Sequence, residues 1–203
     1  MVQSLNDCTI TRYEVRDIRF PTSKMLDGSD AMNKDPDYSA AYVIFYTDNE
    51  KLNGHGLTFT CGRGNDVVCA AIEQLALKFV NKKLSDLVSD MRATHQICTG
   101  DSQLRWIGPE KGVIHLATGA VINAIWDLWG KAANKPVWKL VVDMTPEEFV
   151  QCIDFRYITD VITPEEAITM LRELEPTKSQ REAEMREHGF PSYTTSAGWL
   201  GNN

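Results

Sequence analysis

Cysteine is sparse in this 203-residue chain, and it comes without pattern. Five residues (Cys8, Cys61, Cys69, Cys98, Cys152) lie far apart, and no two form a C-x-x-C pair. An odd, scattered set in a chain of this size excludes a disulfide framework and argues against a zinc site. It predicts reduced thiols in an intracellular protein, without distinguishing mitochondrial from cytoplasmic. Long hydrophobic runs are also missing: no stretch approaches the ~18–20 apolar residues of a membrane span, so no membrane partner is expected. A basic excess is lacking as well. The net charge is −7, which removes the electrostatic footprint of a phosphate-backbone binder and with it nucleic acid as a partner. The four histidines are scattered, and neither G-x-S-x-G nor H-E-x-x-H occurs, so the commonest hydrolase and metalloprotease signatures are absent. The opening "MVQSLNDCT" has no arginine and no apolar core, and no targeting signal is readable in it.

What is present is a packed-core composition, 43% hydrophobic, in an order that changes period part-way. "ITRYEVRDIRF" (10–20) alternates at Tyr13 and Val15 and again at Ile18 and Phe20, and the slip between them predicts a β-bulge. "AAYVIFYTD" and "GLTFTCG" read as two further strands, giving an antiparallel meander. Then the spacing becomes helical. Val68, Ile72, Leu75 and Phe79 recur at three- and four-residue intervals behind Asn65, a candidate N-cap. Ser85 is a candidate cap for the next helix. The longest helical stretch runs from Pro109 to a stop at Asn134 and Pro136, with Val113, Leu116, Ala120, Asn123 and Trp126–Asp127 as its expected core face. Capping boxes follow at Thr145-Pro-Glu-Glu148 and Thr163-Pro-Glu-Glu166. The charges from Glu165 to His188, interrupted by "EPTKSQ", read as a solvated face, and Gly189 as a helix stop. Strands first and helices second make the fold class α+β.

Two stretches invite a chemical reading. "LDGSDAMNKDPD" (26–37) is dense in oxygen ligands but lacks the spacing of a calcium loop. It is far longer than a hairpin needs, and so reads as an Ω-type loop or as a substrate lid. "CGRGNDV" sets two glycines before a helix, which suits an anion or a plain loop-to-helix turn. At the far end "FPSYTTSAGWL" reads as a new strand. It either returns to the first sheet or belongs to a chain cut short, and the second is expected.

Several of these stretches together, "RFPTS…LDGSDAMNKDPDYSAAYV", "GLTFTCGRGNDV", "SQLRWIGPEKGVIHLATGAVINAIWDLWGKAANKPVWKL", "IDFRYITD" and "GFPSYTTSAGWLG", resemble the amino-terminal part of the L-fuconate dehydratases. These are mandelate racemase-like members of the enolase superfamily. The resemblance implies a capping domain over residues 1–188, with strands about 10–61 and helices about 65–188. It implies the first strand of a TIM-type barrel over 189–203. It further implies a Mg²⁺-dependent lyase that converts L-fuconate to 2-keto-3-deoxy-L-fuconate, with a Lys or His base beside the substrate carboxylate.

In that scheme the 26–37 loop and "TCGRGND" close over the sugar acid. Gly28, Ser29, Asp30 and Tyr38 are the expected substrate contacts, joined by Tyr193 and Thr195 from the barrel strand. The same residues also have plain readings, as turn chemistry in "DGSD", a strand-start aromatic and barrel filling. The resemblance puts the family's Lys-x-Lys pair, acidic metal ligands and His–Asp dyad after residue 203. The chain alone is therefore expected to bind no Mg²⁺, to be inactive, and to self-associate through exposed apolar surface. The alternative is a non-catalytic capping-domain protein that associates with a full-length relative. A free-standing sugar-acid binder is a third reading, with half its pocket missing.

Overall fold

The computed structural model describes residues 6–108 and 110–190. The chain divides into two compact units, one running to Val142 and one beginning at Asp143.

The first unit opens with three antiparallel strands in the order β1 (Ile10–Arg19), β2 (Ser39–Thr47) and β3 (Asn53–Thr60). Ala41, Val43 and Phe45 of β2 are buried and alternate with Tyr42 and Tyr46 on the outer face. The register of β1 against β2 runs unbroken from Arg12↔Tyr46 to Arg19↔Ser39, and the only shift lies between Ile10 and Arg12. The expected bulge near residue 16 is therefore displaced to Thr11. The slip in the apolar pattern has another cause. Tyr13 and Val15 face the core side, whereas Ile18 pairs with Ala40, which pairs in turn with Phe59, as one apolar row across the outer face. The true irregularity sits at Ile10 because the chain there is bonded on both sides. Ile10 pairs with Thr47, and its backbone also exchanges hydrogen bonds with Asn81 and Lys82 at 2.7 and 3.0 Å.

Against the core side of the sheet lie α1 (Asn65–Ala76) and α4 (Gly112–Ala132). Val68, Ile72, Leu75 and Phe79 are all buried, as their spacing predicts, and the Phe79 ring meets Phe45 at 5.8 Å. The expected face of α4 is corrected. Of that face Ala120 is fully buried, Val113, Trp126 and Asp127 are half-buried, and Leu116 and Asn123 face outward. The buried side is carried by Ile114, Ala117, Val121, Ala124, Ile125 and Leu128 beside Ala120, and Trp126 stacks on Trp129 at 5.0 Å.

Strand β3 decides the phase of α4. A Cβ on Gly56 would stand 2.0 Å from the Ala120 carbonyl oxygen, and one on Gly54 would stand 2.3 Å from that of Ala124. Two bare backbones thus touch, and Ala120 and Ala124 of α4 turn toward a strand. At the rim, Asp127 accepts a hydrogen bond from the His55 backbone N–H (2.7 Å), and Lys131 bonds both Asp127 and the Asn53 carbonyl (2.6 and 3.0 Å).

Shorter elements complete this unit: α2 (Leu84–Ser89), α3 (Met91–Thr99) and α5 (Val137–Val142). Ser85 is not the cap of α2; it lies inside the helix, and its N–H and hydroxyl both bond Asp7. Asp90 caps α3 through the Ala93 N–H. All five cysteines are free thiols, and burial pushes that of Cys98 up to about 12.

The second unit contains α6 (Pro146–Gln151), α7 (Pro164–Leu174) and α8 (Lys178–His188). Both capping boxes form as the sequence predicts, at Thr145/Glu148 and Thr163/Glu166. Arg172 pairs with Glu147, and no residue of α7 or α8 is buried. The charged stretch is a solvated face, stopped at Gly189 with φ 71°.

Candidate functional site: two loops at the end of the sheet

The segment between β1 and β2 is held by its own side chains. The Thr22 hydroxyl donates to the Pro36 carbonyl (2.8 Å) and accepts from the Tyr38 N–H (2.9 Å), so one residue closes a sixteen-residue span. Asp37 accepts from the Ser23 N–H at 3.1 Å, and the Ser23 hydroxyl foremost, with that N–H after it, holds its carboxyl below the usual carboxylate range. Gly28 has φ 71°, and a Cβ there would stand 2.1 Å from the Tyr38 ring; the Tyr38 hydroxyl donates to the Gly28 carbonyl at 2.7 Å. Only glycine fits beneath that ring.

The expected contacts divide by environment. Gly28 and Tyr38 are engaged with one another. Asp30 is exposed, and its Oδ1 accepts from the backbone N–H groups of Met32 and Asn33 at 2.8 and 2.6 Å, which lowers its pKa, Asn33 first. Ser29 is completely buried, and its hydroxyl meets no hydrogen-bond partner among the described residues. A buried hydroxyl without a partner costs about 1–3 kcal/mol. Tyr193 and Thr195 lie outside the described residues.

The second loop, residues 61–64, enters α1. Gly64 has a left-handed backbone and is the residue that precedes the helix, so Asn65 is not the cap its type suggests. It stands one place further in, fully buried. Its Oδ1 accepts from the Thr60 hydroxyl (2.8 Å), and its Nδ2 donates to Asp17 (2.6 Å) and to the Ala40 carbonyl (3.2 Å). One amide therefore joins all three strands to the start of a helix. Arg19 stands beside it. Its guanidinium forks onto Asp17 at 2.8 and 2.9 Å and reaches the Gly62 carbonyl at 3.2 Å and Asp66 at 3.3 Å. Asp17, bonded first by Arg19 and then by Asn65, is held below the usual carboxylate range.

The two loops are themselves tied, since the Asp37 N–H donates to the Cys61 carbonyl at 3.2 Å. Reading the sequence picked out the loops but missed Asp17, Arg19, Thr22 and Asn65 as the residues that hold them. The one available signal was an asparagine directly after G-R-G, where the preceding glycine takes the cap position.

A model of the mandelate racemase / muconate lactonizing enzyme N-terminal domain matches residues 32–141. The chain belongs to this family. It is thereby an enolase-superfamily amino-terminal domain, and its meander followed by helices is that domain's fold. Over 198 residues it is 62% identical to an L-galactonate dehydratase of Hypocrea jecorina, covering 97% of this chain and 44% of that protein. The crystal structure of human mitochondrial enolase superfamily member 1 superposes with a TM-score of 0.93 at 55% identity, covering 97% of this chain and 45% of that one. A racemase from Streptomyces coelicolor A3(2), solved with bound magnesium, shares the fold at a TM-score of 0.50 and 22% identity, over 68% of this chain and 35% of its own. The chain thus spans less than half the length of these relatives. Among the described residues no three His, Cys, Asp or Glu side chains come together to hold a metal ion. The oxygen-rich 26–37 loop thus brings no three such side chains together, and the described residues supply no carboxylate cluster that fits a magnesium ion.

Proposed function

We propose that this chain supplies the substrate-closing loops of a sugar-acid dehydratase acting on L-fuconate. In that reaction a proton leaves C2 and hydroxide leaves C3, and the resulting enol becomes 2-keto-3-deoxy-L-fuconate with release of water. The observation that carries this reading is the joining of residues 22–38 to residues 61–64 through the Asp37–Cys61 bond. It joins the two segments that the family resemblance assigns to substrate closure into a surface that exposes Asp30, Asn33, Asp35 and Arg63 beside the apolar Met25 and Met32. Such a surface suits a ligand rich in hydroxyls, because each hydroxyl taken from water needs a partner. Ser29, buried here with an unpartnered hydroxyl, meets the substrate only once the loop rearranges over it, and Asp30 and Tyr38 flank it, with Gly28 admitting the Tyr38 ring. Tyr193 and Thr195 belong to the same proposal. Magnesium is the family's cofactor, and the described residues do not make a site for it.

The name of the Hypocrea relative supports a second substrate, L-galactonate. It differs from L-fuconate only by a hydroxyl on C6. The test is to measure 2-keto-3-deoxy acid formation from both acids by the full gene product with Mg²⁺, and to repeat it with Ser29→Ala. Loss of one hydrogen bond of about 0.5–1.5 kcal/mol lowers kcat/KM roughly 2- to 10-fold. Removing an orphaned hydroxyl leaves thermal stability equal or raised. Turnover of neither acid overturns the reading, and unchanged kcat/KM in the variant removes Ser29 from the site.

A further inference from the structure

We propose that Arg19 and Asn65 are positioning residues that make the two loops open and close as one body. The coupling rests on the geometry alone; only its consequence for turnover rests on the function proposed above.

Three observations carry it. First, the second loop is held from outside as well as by its own backbone. The Gly62 carbonyl accepts from the Asn65 N–H at 3.0 Å and also from Arg19, a β1 residue, at 3.2 Å, and the loop's exit into α1 is fixed by a fully buried amide whose partners lie on β1, β2 and β3. Second, Asp17 is the shared acceptor of both residues, at 2.6 Å from Asn65 and 2.8–2.9 Å from Arg19. Arg19, Asp17 and Asn65 thus form a relay in which no member shifts without disturbing another. Third, the relay continues outward. Gly62 is bonded to Arg19, its neighbour Cys61 accepts from Asp37, and Asp37 accepts from Ser23 on the far side of the first loop. Thr22 closes that loop from the same side. The chain of bonds therefore runs from strand β1 through the second loop to the first.

A buried polar group satisfied by several elements fixes their relative placement far more than it adds stability. A loop tied only to itself would open alone. These two share one hinge, because β1 leads directly from Arg19 into Thr22.

Amide hydrogen exchange on the 203-residue chain tests this with Arg19→Met, a partly exposed side chain whose loss leaves the core intact. Exchange at residues 62–65 and also at Ser23 and Asp37 is expected to rise at least tenfold together, while α4 amides between 118 and 128 are unchanged. Thr22→Val cuts the first loop's own clasp and is expected to speed the same two sets. Arg19→Lys retains a charge for Asp17 but not the fork to Gly62 and Asp66, and should fall between wild type and Arg19→Met. Faster exchange confined to 62–65 in Arg19→Met, or to the first loop in Thr22→Val, overturns the proposal.

In the full gene product Arg19→Met should raise KM for the sugar acid at least fivefold with kcat within twofold, since contacts that bind ground and transition states alike change KM and leave kcat. Coupled exchange with unaltered KM would overturn the positioning role. Absence of turnover in the wild type would count against the proposed function and leave the exchange result to stand by itself.

Discussion

Asp17 carries more than its position near the end of an edge strand suggests. Two donors hold it ionised, the Arg19 guanidinium foremost and the Asn65 amide after it. A depressed carboxyl stabilises the folded state fully above its unfolded value, near 3.9 for aspartate, and loses that contribution as pH falls through the lower folded value. Loop protection should therefore hold from neutrality to about pH 4 and fail below it. The check is exchange at residues 62–65 across an acid titration, with Asp17→Asn as the control. That variant should show the unprotected rate already at pH 7, and an identical titration in both proteins would exclude Asp17 as the controlling group. Asn65 shows what the sequence conceals at this scale. An asparagine ahead of an apolar helix reads as a cap, yet here the left-handed Gly64 precedes the helix and the amide is turned inward to the sheet. Residue type announces a hydrogen-bonding need; only the fold determines which strand meets it.

Among the elements, α4 teaches the most. Its sequence carries apolar residues on two sides, so periodicity alone cannot say which side is buried. The glycines of β3 decide. With no side chains at 54 and 56, the helix backbone at Ala120 and Ala124 sinks onto the strand, and Ile114, Val121 and Leu128 follow it inward. Gly56→Ala should cost about 1–3 kcal/mol or more, because the new methyl meets a backbone oxygen that cannot step aside. Leu128→Ala should cost about 2–5 kcal/mol through a buried cavity, and Trp126→Ala less than that. Chemical denaturation of the three variants orders them, and a Trp126 variant less stable than the Leu128 variant would reverse the assignment of faces. Other elements were plain in the sequence because their signals are local. The stripe from Val68 to Phe79, the two capping boxes and the Gly189 stop each depend on residues within about three turns. The β1 pattern misled for the opposite reason: Ile18 serves an outer row that exists only once Ala40 and Phe59 are beside it.

At the scale of the molecule, the closing of β3 by Asp127 and Lys131 bears on solubility. A three-stranded sheet presents two outer edges, and an exposed edge is a template on which another chain can add a strand. Along β3 the His55 N–H and the Asn53 carbonyl are occupied by a carboxylate and an ammonium group four residues apart on α4. An incoming strand would have to displace both groups from the backbone atoms they occupy. The pair thus acts as a gatekeeper against edge-to-edge polymerisation. Asp127→Ala removes the acceptor, frees the His55 N–H and releases Lys131 to solvent. It should shorten the lag before light scattering rises during incubation at moderate temperature, with little change in the unfolding midpoint. Equal lag times for the variant and the parent chain would show that this edge is guarded elsewhere. By the same logic, the lysine is the member whose replacement with a neutral residue should matter less, since the carboxylate alone still occupies the donor that a foreign strand must reach first.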